Sequence, residues 1–177
     1  MDGRYSVKDK KLGEGSFAKT YLALDTKSNR VVACKMVEKK NLIEKINLSK
    51  NKSLTKEYFI NALKNEVKTW KALDYRHVVG FIDFSETQNN IYFFLEYCPG
   101  GNLEHHLRKH GNIPEKQALP LLHQLASGCA YLFDKNIYHR DLKTENILIG
   151  DNSTPLITQT SSNCQTSALQ KWWLRRN

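Results

Sequence analysis

The chain has 177 residues, 40% of them hydrophobic and 25% charged, and carries a formal net charge of +9. That composition belongs to a globular protein with room for one domain and its core, and it excludes a fibrous or largely disordered one. No run approaches the roughly 18–20 apolar residues of a membrane span, and the start Met1-Asp2-Gly3-Arg4-Tyr5 shows no leader or acylation signal, so a cytoplasmic protein without a lipid anchor is expected.

In chain order, residues 5–12 and 20–25 read as strands joined by a turn carrying Gly13 and Gly15, and residues 30–37 form a third, apolar and β-branched strand. A lysine-rich stretch from Lys39 to Lys56 follows. Phe59, Leu63, Val67, Trp70 and Leu73 then recur at intervals of three and four, which predicts an amphipathic helix with Thr55 as its N-cap. Residues 78–84 and 91–96 read as two further strands, broken by Pro99-Gly100-Gly101, where a lobe boundary is placed. Residues 102–110 read as a short helix stopped by Gly111. Pro114 opens a longer one carrying Leu121, Leu122, Leu125, Cys129 and Leu132 on its apolar side. Beyond Asp151 the chain turns to Ser, Thr, Asn and Gln. One domain over residues 1–150 (lobes about 1–97 and 98–150) and a poorly ordered polar tail over 151–177 are therefore expected, with no internal repeat.

The first chemical signal is Leu12-Gly13-Glu14-Gly15-Ser16-Phe17-Ala18-Lys19-Thr20. Glycines without a β-carbon let backbone amides approach phosphate oxygens closely, but a two-glycine turn taken alone is more often an ordinary hairpin. The second is Val32-Ala33-Cys34-Lys35, a lysine in an apolar strand. It is either an edge residue facing water or the partner of Glu66, a carboxylate beside Val67 and Trp70 that burial would make costly without a cation.

The third signal is Tyr138-His139-Arg140-Asp141-Leu142-Lys143-Thr144-Glu145-Asn146-Ile147-Leu148. Its His-Arg-Asp-Leu-Lys-x-x-Asn core, behind the glycine turn and the strand lysine, resembles the catalytic loop of the eukaryotic protein kinases, and the resemblance covers residues 5–149. Lysine two places after the aspartate is similar to the serine/threonine branch. The resemblance implies an α+β fold: an antiparallel five-stranded lobe with one helix, then the start of a helical lobe.

By that resemblance ATP and Mg2+ are the expected cofactors. Gly13, Gly15 and Ala18 would cover the phosphates with Ser16 and Phe17 at the tip, while Leu12 and Thr20 would border the adenine. Ala18 stands where the family usually has a third glycine, and Thr20 where it has valine. Ala33 and Leu148 would lie on the two sides of the base, Leu95 would precede the hinge, and Glu96 and Cys98 would offer it backbone groups. Lys35, paired with Glu66, would hold the α- and β-phosphates. Asp141 would take or orient the proton of the attacking hydroxyl, Lys143 would neutralise the moving phosphoryl group, and Asn146 would bind one metal.

Two departures stand out. The interval between Lys35 and Glu66 is about a dozen residues longer than in the family, which makes residues 42–54 an inserted loop. The metal-binding Asp-Phe-Gly is absent, its register falling at Gln159-Thr160-Ser161, and nothing resembling the family's later segments follows. The expected function is ATP-dependent phosphoryl transfer to Ser or Thr of protein substrates, against the alternative of a non-catalytic nucleotide- or partner-binding fragment.

Other readings rank below these. The Lys39–Lys56 arm lacks a nucleic-acid motif and interleaved aromatics, so a solvated insertion is favoured over nucleic-acid binding. Cys34, Cys98, Cys129 and Cys164 show no paired spacing and are expected as reduced thiols. His106 and His110, four apart, lack a metalloprotease glutamate and read as a polar helix face. The long helix is expected to lack part of its usual cover at Leu121, Leu125 and Leu132, and hence to favour self-association.

Overall fold

A computed structural model describes residues 3–15, 18–41, 44, 56–150 and 154–158. The expected inserted loop, the Thr55 cap and most of the expected polar tail lie outside these residues. The chain divides into two compact units, Met1–Val67 with Phe81–Tyr97, and Lys68–Gly80 with Cys98–Asn177. Among the described residues no helix is long and apolar enough to cross a membrane.

The first unit is built on strands β1 (Tyr5–Glu14), β2 (Ala18–Asp25), β3 (Arg30–Glu38), β4 (Phe81–Glu86) and β5 (Asn90–Glu96). All pair antiparallel in the order β1-β2-β3-β5-β4, which is the five-stranded sheet the sequence implies. Helix α1 (Lys56–Lys71) follows β3 in the chain. One face of the sheet packs Ala23, Val32, Cys34 and Phe94 together, with Tyr5 stacked on Phe94 at 3.6 Å between ring centroids. The twist of the sheet brings its two edges within reach of one side chain. Arg4 donates to both carboxylate oxygens of Asp25 (3.0 and 2.9 Å) and, from Nη1, to Asp83 at the β4 edge (2.9 Å). The Tyr5 hydroxyl donates to the same Asp83 oxygen. Arg4, Ser28 and the Lys27 N–H hold the Asp25 carboxyl below the usual carboxylate range.

A second polar knot ties α1 to the strands. Lys39 Nζ, nearly buried, donates to Glu86 Oε1 (2.8 Å) and to the Thr87 carbonyl (2.7 Å), while Lys64 of α1 meets Glu86 Oε2 at 2.8 Å. One carboxylate therefore serves two ammonium groups.

The second unit contains helices α2 (Leu103–His110) and α3 (Glu115–Asp134) and the short strands β6 (Ile147–Ile149) and β7 (Pro155–Ile157). Asn102 caps α2, its side chain accepting the His105 N–H at 2.8 Å, and Gly111 at φ +81° ends it. Strand β7 pairs antiparallel with β6, and its last residue also pairs with a segment preceding β4. The Ile157 N–H donates to the His77 carbonyl and the Val79 N–H to the Ile157 carbonyl, each at 3.0 Å. Helix α3 approaches this strip through Gly128, where a β-carbon would lie 2.9 Å from the His77 carbonyl and 3.0 Å from Ile157 Cδ1.

Three expectations change here. The strand expected over residues 78–84 begins only at Phe81, because Val78 and Val79 pair with Ile157 instead. The hairpin runs across residue 150, where the sequence pattern places a domain boundary, and Pro155–Ile157 are fully buried strand residues. Leu125 and Leu132 of α3 are buried in one cluster with Leu73, Val78, Leu103, Ile147, Ile149 and Ile157, and Leu121 packs against it. The exposed apolar side chains of the helix are Leu119, Leu122 and Phe133.

Replacing Glu86 with Gln would leave the nearly buried Lys39 ammonium without its counter-charge. Removing one partner of a partly buried pair costs about 2 kcal/mol, so the variant is expected to melt roughly 4–8 °C lower, and circular dichroism melts of E86Q against the parent check this. An unchanged midpoint would mean the knot contributes nothing to the fold.

Candidate functional site

In the first unit, cross-strand register places the expected nucleotide residues in one row. Gly13 pairs with Thr20, and Thr20 with Lys35; two positions along, Leu22 pairs with Ala33 and Ala33 with Leu95. Directly opposed residues of antiparallel strands share a face, so Thr20, Lys35 and Ala33 project to the same side. The β1–β2 turn closes with the Gly15 N–H donating to the Ala18 carbonyl at 2.9 Å. A β-carbon at Gly13 would meet nothing within 4 Å, which leaves the outside of the turn open to a ligand's close approach. Leu12 is exposed beside it. Ser16, Phe17 and the Glu66 side chain lie outside the described residues, so the expected Lys35–Glu66 pair has only its lysine and the helical backbone at Glu66 on view. Glu96 ends β5 opposite Val32.

The second unit brings Asp141, Lys143 and Asn146 together. Asn146 Nδ2 donates both to the Asp141 carbonyl (2.7 Å) and to Asp141 Oδ2 (2.8 Å), and Lys143 Nζ stands 3.6 Å from that same carboxylate oxygen. A 3-10 turn, Thr144–Asn146, carries the asparagine, closed by the Asn146 N–H on the Lys143 carbonyl. Arg140 sits at φ +60°, a left-handed conformation that costs a non-glycine residue free energy and persists only where its surroundings enforce it. Cys98 is buried, its carbonyl accepting the Gly101 N–H, and Leu148 on β6 bridges to Asn102.

What enforces the loop is a pair of residues to which the sequence reading assigns no role. The Thr158 carbonyl accepts a hydrogen bond from His139 Nε2 at 2.6 Å, while the Thr158 N–H and hydroxyl both donate to the Asn146 carbonyl at 3.0 Å. Because a carbonyl only accepts, His139 carries its proton on Nε2. Its Nδ1 is then free to accept the Asp141 N–H at 3.3 Å. Burial pushes the His139 pKa down, opposed by the Thr158 bond and by Asp141. The only sequence hint was position: Thr158 stands immediately before the register where the family's metal carboxylate is expected.

Spending Nδ2 on Asp141 leaves Asn146 its amide oxygen, the hard ligand Mg2+ accepts, with one carboxylate adjacent. Among the described residues no group of three or more His, Cys, Asp or Glu is placed to hold a metal. Among the described residues the donors that suit Mg2+ here are the Asn146 amide oxygen and the Asp141 carboxylate.

Comparison with known proteins shows the family. The family profile described as protein kinase domain matches residues 6–159. The human hormonally up-regulated neu tumor-associated kinase is 34% identical over 163 residues, 92% of this chain and 21% of that protein. CBL-interacting protein kinase 11 of Oryza sativa subsp. japonica is 33% identical over 85% of this chain and 27% of its own length. Serine/threonine-protein kinase ATG1a of Arabidopsis thaliana is 34% identical over 83% and 22%. The chain thus spans less than a third of the length of each of these relatives.

Buried His77 and partly buried His139 give a pH expectation. Burial lowers the pKa of both His139 and His77 below their ordinary 6.5, so the unfolded chain takes up protons first as pH falls. Their contribution to stability is complete above about pH 6.5 and is lost progressively below it. Thermal melts between pH 7.5 and 5 should show a falling midpoint, and the slope should flatten in H139Q, whose amide can donate to Thr158 and accept from Asp141 at any pH. Identical slopes for parent and variant would remove His139 from the account.

Proposed function

This chain belongs to the protein kinase family, and from that membership we propose that it carries the ATP-dependent phosphoryl-transfer machinery of a serine/threonine protein kinase. The observation that supports the reading most is the joined set of Asp141, Lys143 and Asn146, with Asp141 oriented through both its carbonyl and its carboxylate.

In the proposed reaction a Ser or Thr hydroxyl oxygen of a protein substrate bonds to the γ-phosphorus of ATP, the bond to the β–γ bridging oxygen breaks, and ADP leaves. The hydroxyl proton passes toward Asp141. Lys143, an exposed ammonium beside that carboxylate, supplies positive charge where the transferred group gains negative charge. Gly13, Gly15 and Ala18 with Lys35 are assigned to the phosphates, Ala33, Thr20 and Leu148 to the adenine, and Glu96 and Cys98 to its polar edge. Mg2+, when bound, would neutralise the β- and γ-phosphates, and Asn146 is the residue assigned to it. Glu66 is assigned to Lys35 on register alone.

A second reading, a non-catalytic nucleotide-binding fragment, is favoured by one observation: Gln159 occupies the register of the second metal carboxylate. A neutral amide replaces the charge of a carboxylate poorly, and a barrier higher by about 4 kcal/mol would slow turnover roughly a thousandfold.

The test is transfer of radiolabelled phosphate from Mg-ATP to a basic Ser/Thr peptide by the parent chain, D141N and Q159D. Loss in D141N and a gain of more than about tenfold in Q159D are expected. Absence of transfer in every chain, with nucleotide still bound, would select the non-catalytic reading.

A further inference from the structure

The turn that presents Lys143 and Asn146 has no cap of its own. Lys143 occupies the N-cap position of the Thr144–Asn146 turn without any side-chain capping bond. In a 3-10 turn successive side chains diverge by about 120°, so the direction of Asn146 is set by whatever fixes the turn's rotation. Thr144 lies between the two site residues and faces another element. Its hydroxyl donates to Glu104 Oε2 of helix α2 at 2.7 Å and lies 3.4 Å from Glu145 Oε2.

Glu104 is itself held. Its other oxygen accepts from Arg108 Nε at 2.8 Å, one turn along the same helix. The two bonds, Thr144 first and Arg108 second, lower its pKa, so the carboxylate is charged and accepts strongly at neutral pH. The base of the helix is stitched to the far side of the loop. The Gly100 N–H donates to the Ile149 carbonyl (3.0 Å) and the Ile149 N–H to the Gly101 carbonyl (2.8 Å), with no space at Gly100 for a β-carbon, which would lie 2.7 Å from Ile149. Helix α2 is thus fixed relative to β6 by backbone bonds, and one side-chain bond passes that placement to the turn.

We propose that Thr144 and Glu104 are positioning residues for phosphoryl transfer: the Thr144–Glu104 bond sets the orientation in which Lys143 and Asn146 are presented. The proposal rests on the kinase reading for its function, and on the hydrogen-bond geometry alone for its structural part. Neither residue touches nucleotide or metal in this account. Both act through their neighbours.

The experiment compares the full chain with T144V, which keeps the shape and removes the donor, T144S, which restores it, E104A, and the double variant T144V/E104A. D141N controls for the kinase reading. Two readouts are taken: kcat and KM for Mg-ATP, and the side-chain amide resonances of Asn146 by nuclear magnetic resonance. T144V and E104A are expected to lower kcat roughly tenfold with KM for ATP little changed, because misplacement of groups that act in the transition state falls on kcat. Both should shift the Asn146 amide resonances. T144S should restore both readouts to within about twofold, and the double variant should be no worse than either single one, as for residues acting through one bond. Parent-like kcat and parent-like Asn146 resonances in T144V overturn the proposal. If no chain transfers phosphate, D141N included, the kinase reading fails, while the Asn146 resonances still decide whether Thr144 and Glu104 orient the turn.

Discussion

The second unit depends on what Thr158 does with its three polar groups. Its carbonyl accepts a hydrogen bond from His139 Nε2, and its N–H and hydroxyl converge on the carbonyl of Asn146. Those contacts grip the loop from His139 to Asn146 at both ends, one residue before Arg140 and at the residue that holds Asp141. The left-handed backbone at Arg140 is possible because both ends are held. Thr158 can do this only because β7 is immobilised on three sides: by β6, by the Val78 bridge, and by α3 at Gly128. Three buried residues of a short strand therefore transmit the packing of a 20-residue helix to the loop that holds the Asp141 carboxylate.

The first unit holds its sheet together through side chains that join its edges. Arg4 links the carboxylate at the β2–β3 turn to that on β4, and Tyr5 both stacks on Phe94 and bonds to Asp83. With the edges joined, the row Gly13, Thr20, Lys35 is held by register rather than by direct contacts to each residue. Glu86 performs the matching task for α1, joining Lys64 to the buried Lys39 so that the helix cannot rotate without separating charges. Position along the sheet and orientation of the helix are thereby set by different ion pairs.

Much of this was legible in the sequence, for reasons that also explain the rest. The apolar, β-branched run of β3 and the three-four spacing of Val67, Trp70 and Leu73 are local signals, and the structure buries Val32, Ala33, Cys34 and Val37 together with those three residues. The cluster of Asp141, Lys143 and Asn146 was readable because one short loop carries all three. Strand β7 was not readable: Pro155, Leu156 and Ile157 are all buried, so they show no alternation, and three residues are too few to stand out from a polar surround. Residues 78–84 looked like one strand because apolar residues paired to β7 and apolar residues paired to β5 are identical in sequence. Thr144 and Glu104 are 40 positions apart, and nothing in a threonine or a surface-type glutamate announces the other.

The same geometry separates two requirements of phosphoryl transfer that usually travel together. Orienting the attacking hydroxyl needs a fixed carboxylate, and Asp141 is fixed by Asn146, His139 and, through β7, the helical core. None of those bonds involves position 159. Neutralising the phosphates needs positive charge, which the proposed reaction assigns to Lys35 and Lys143, with the Asn146 amide oxygen assigned to metal, where the family relies on an additional carboxylate. On the proposed reading a substitution at 159 bears on the charge balance of the reaction. Loss of the Thr158 bonds would do the reverse, leaving the charges present and releasing the loop that aims them.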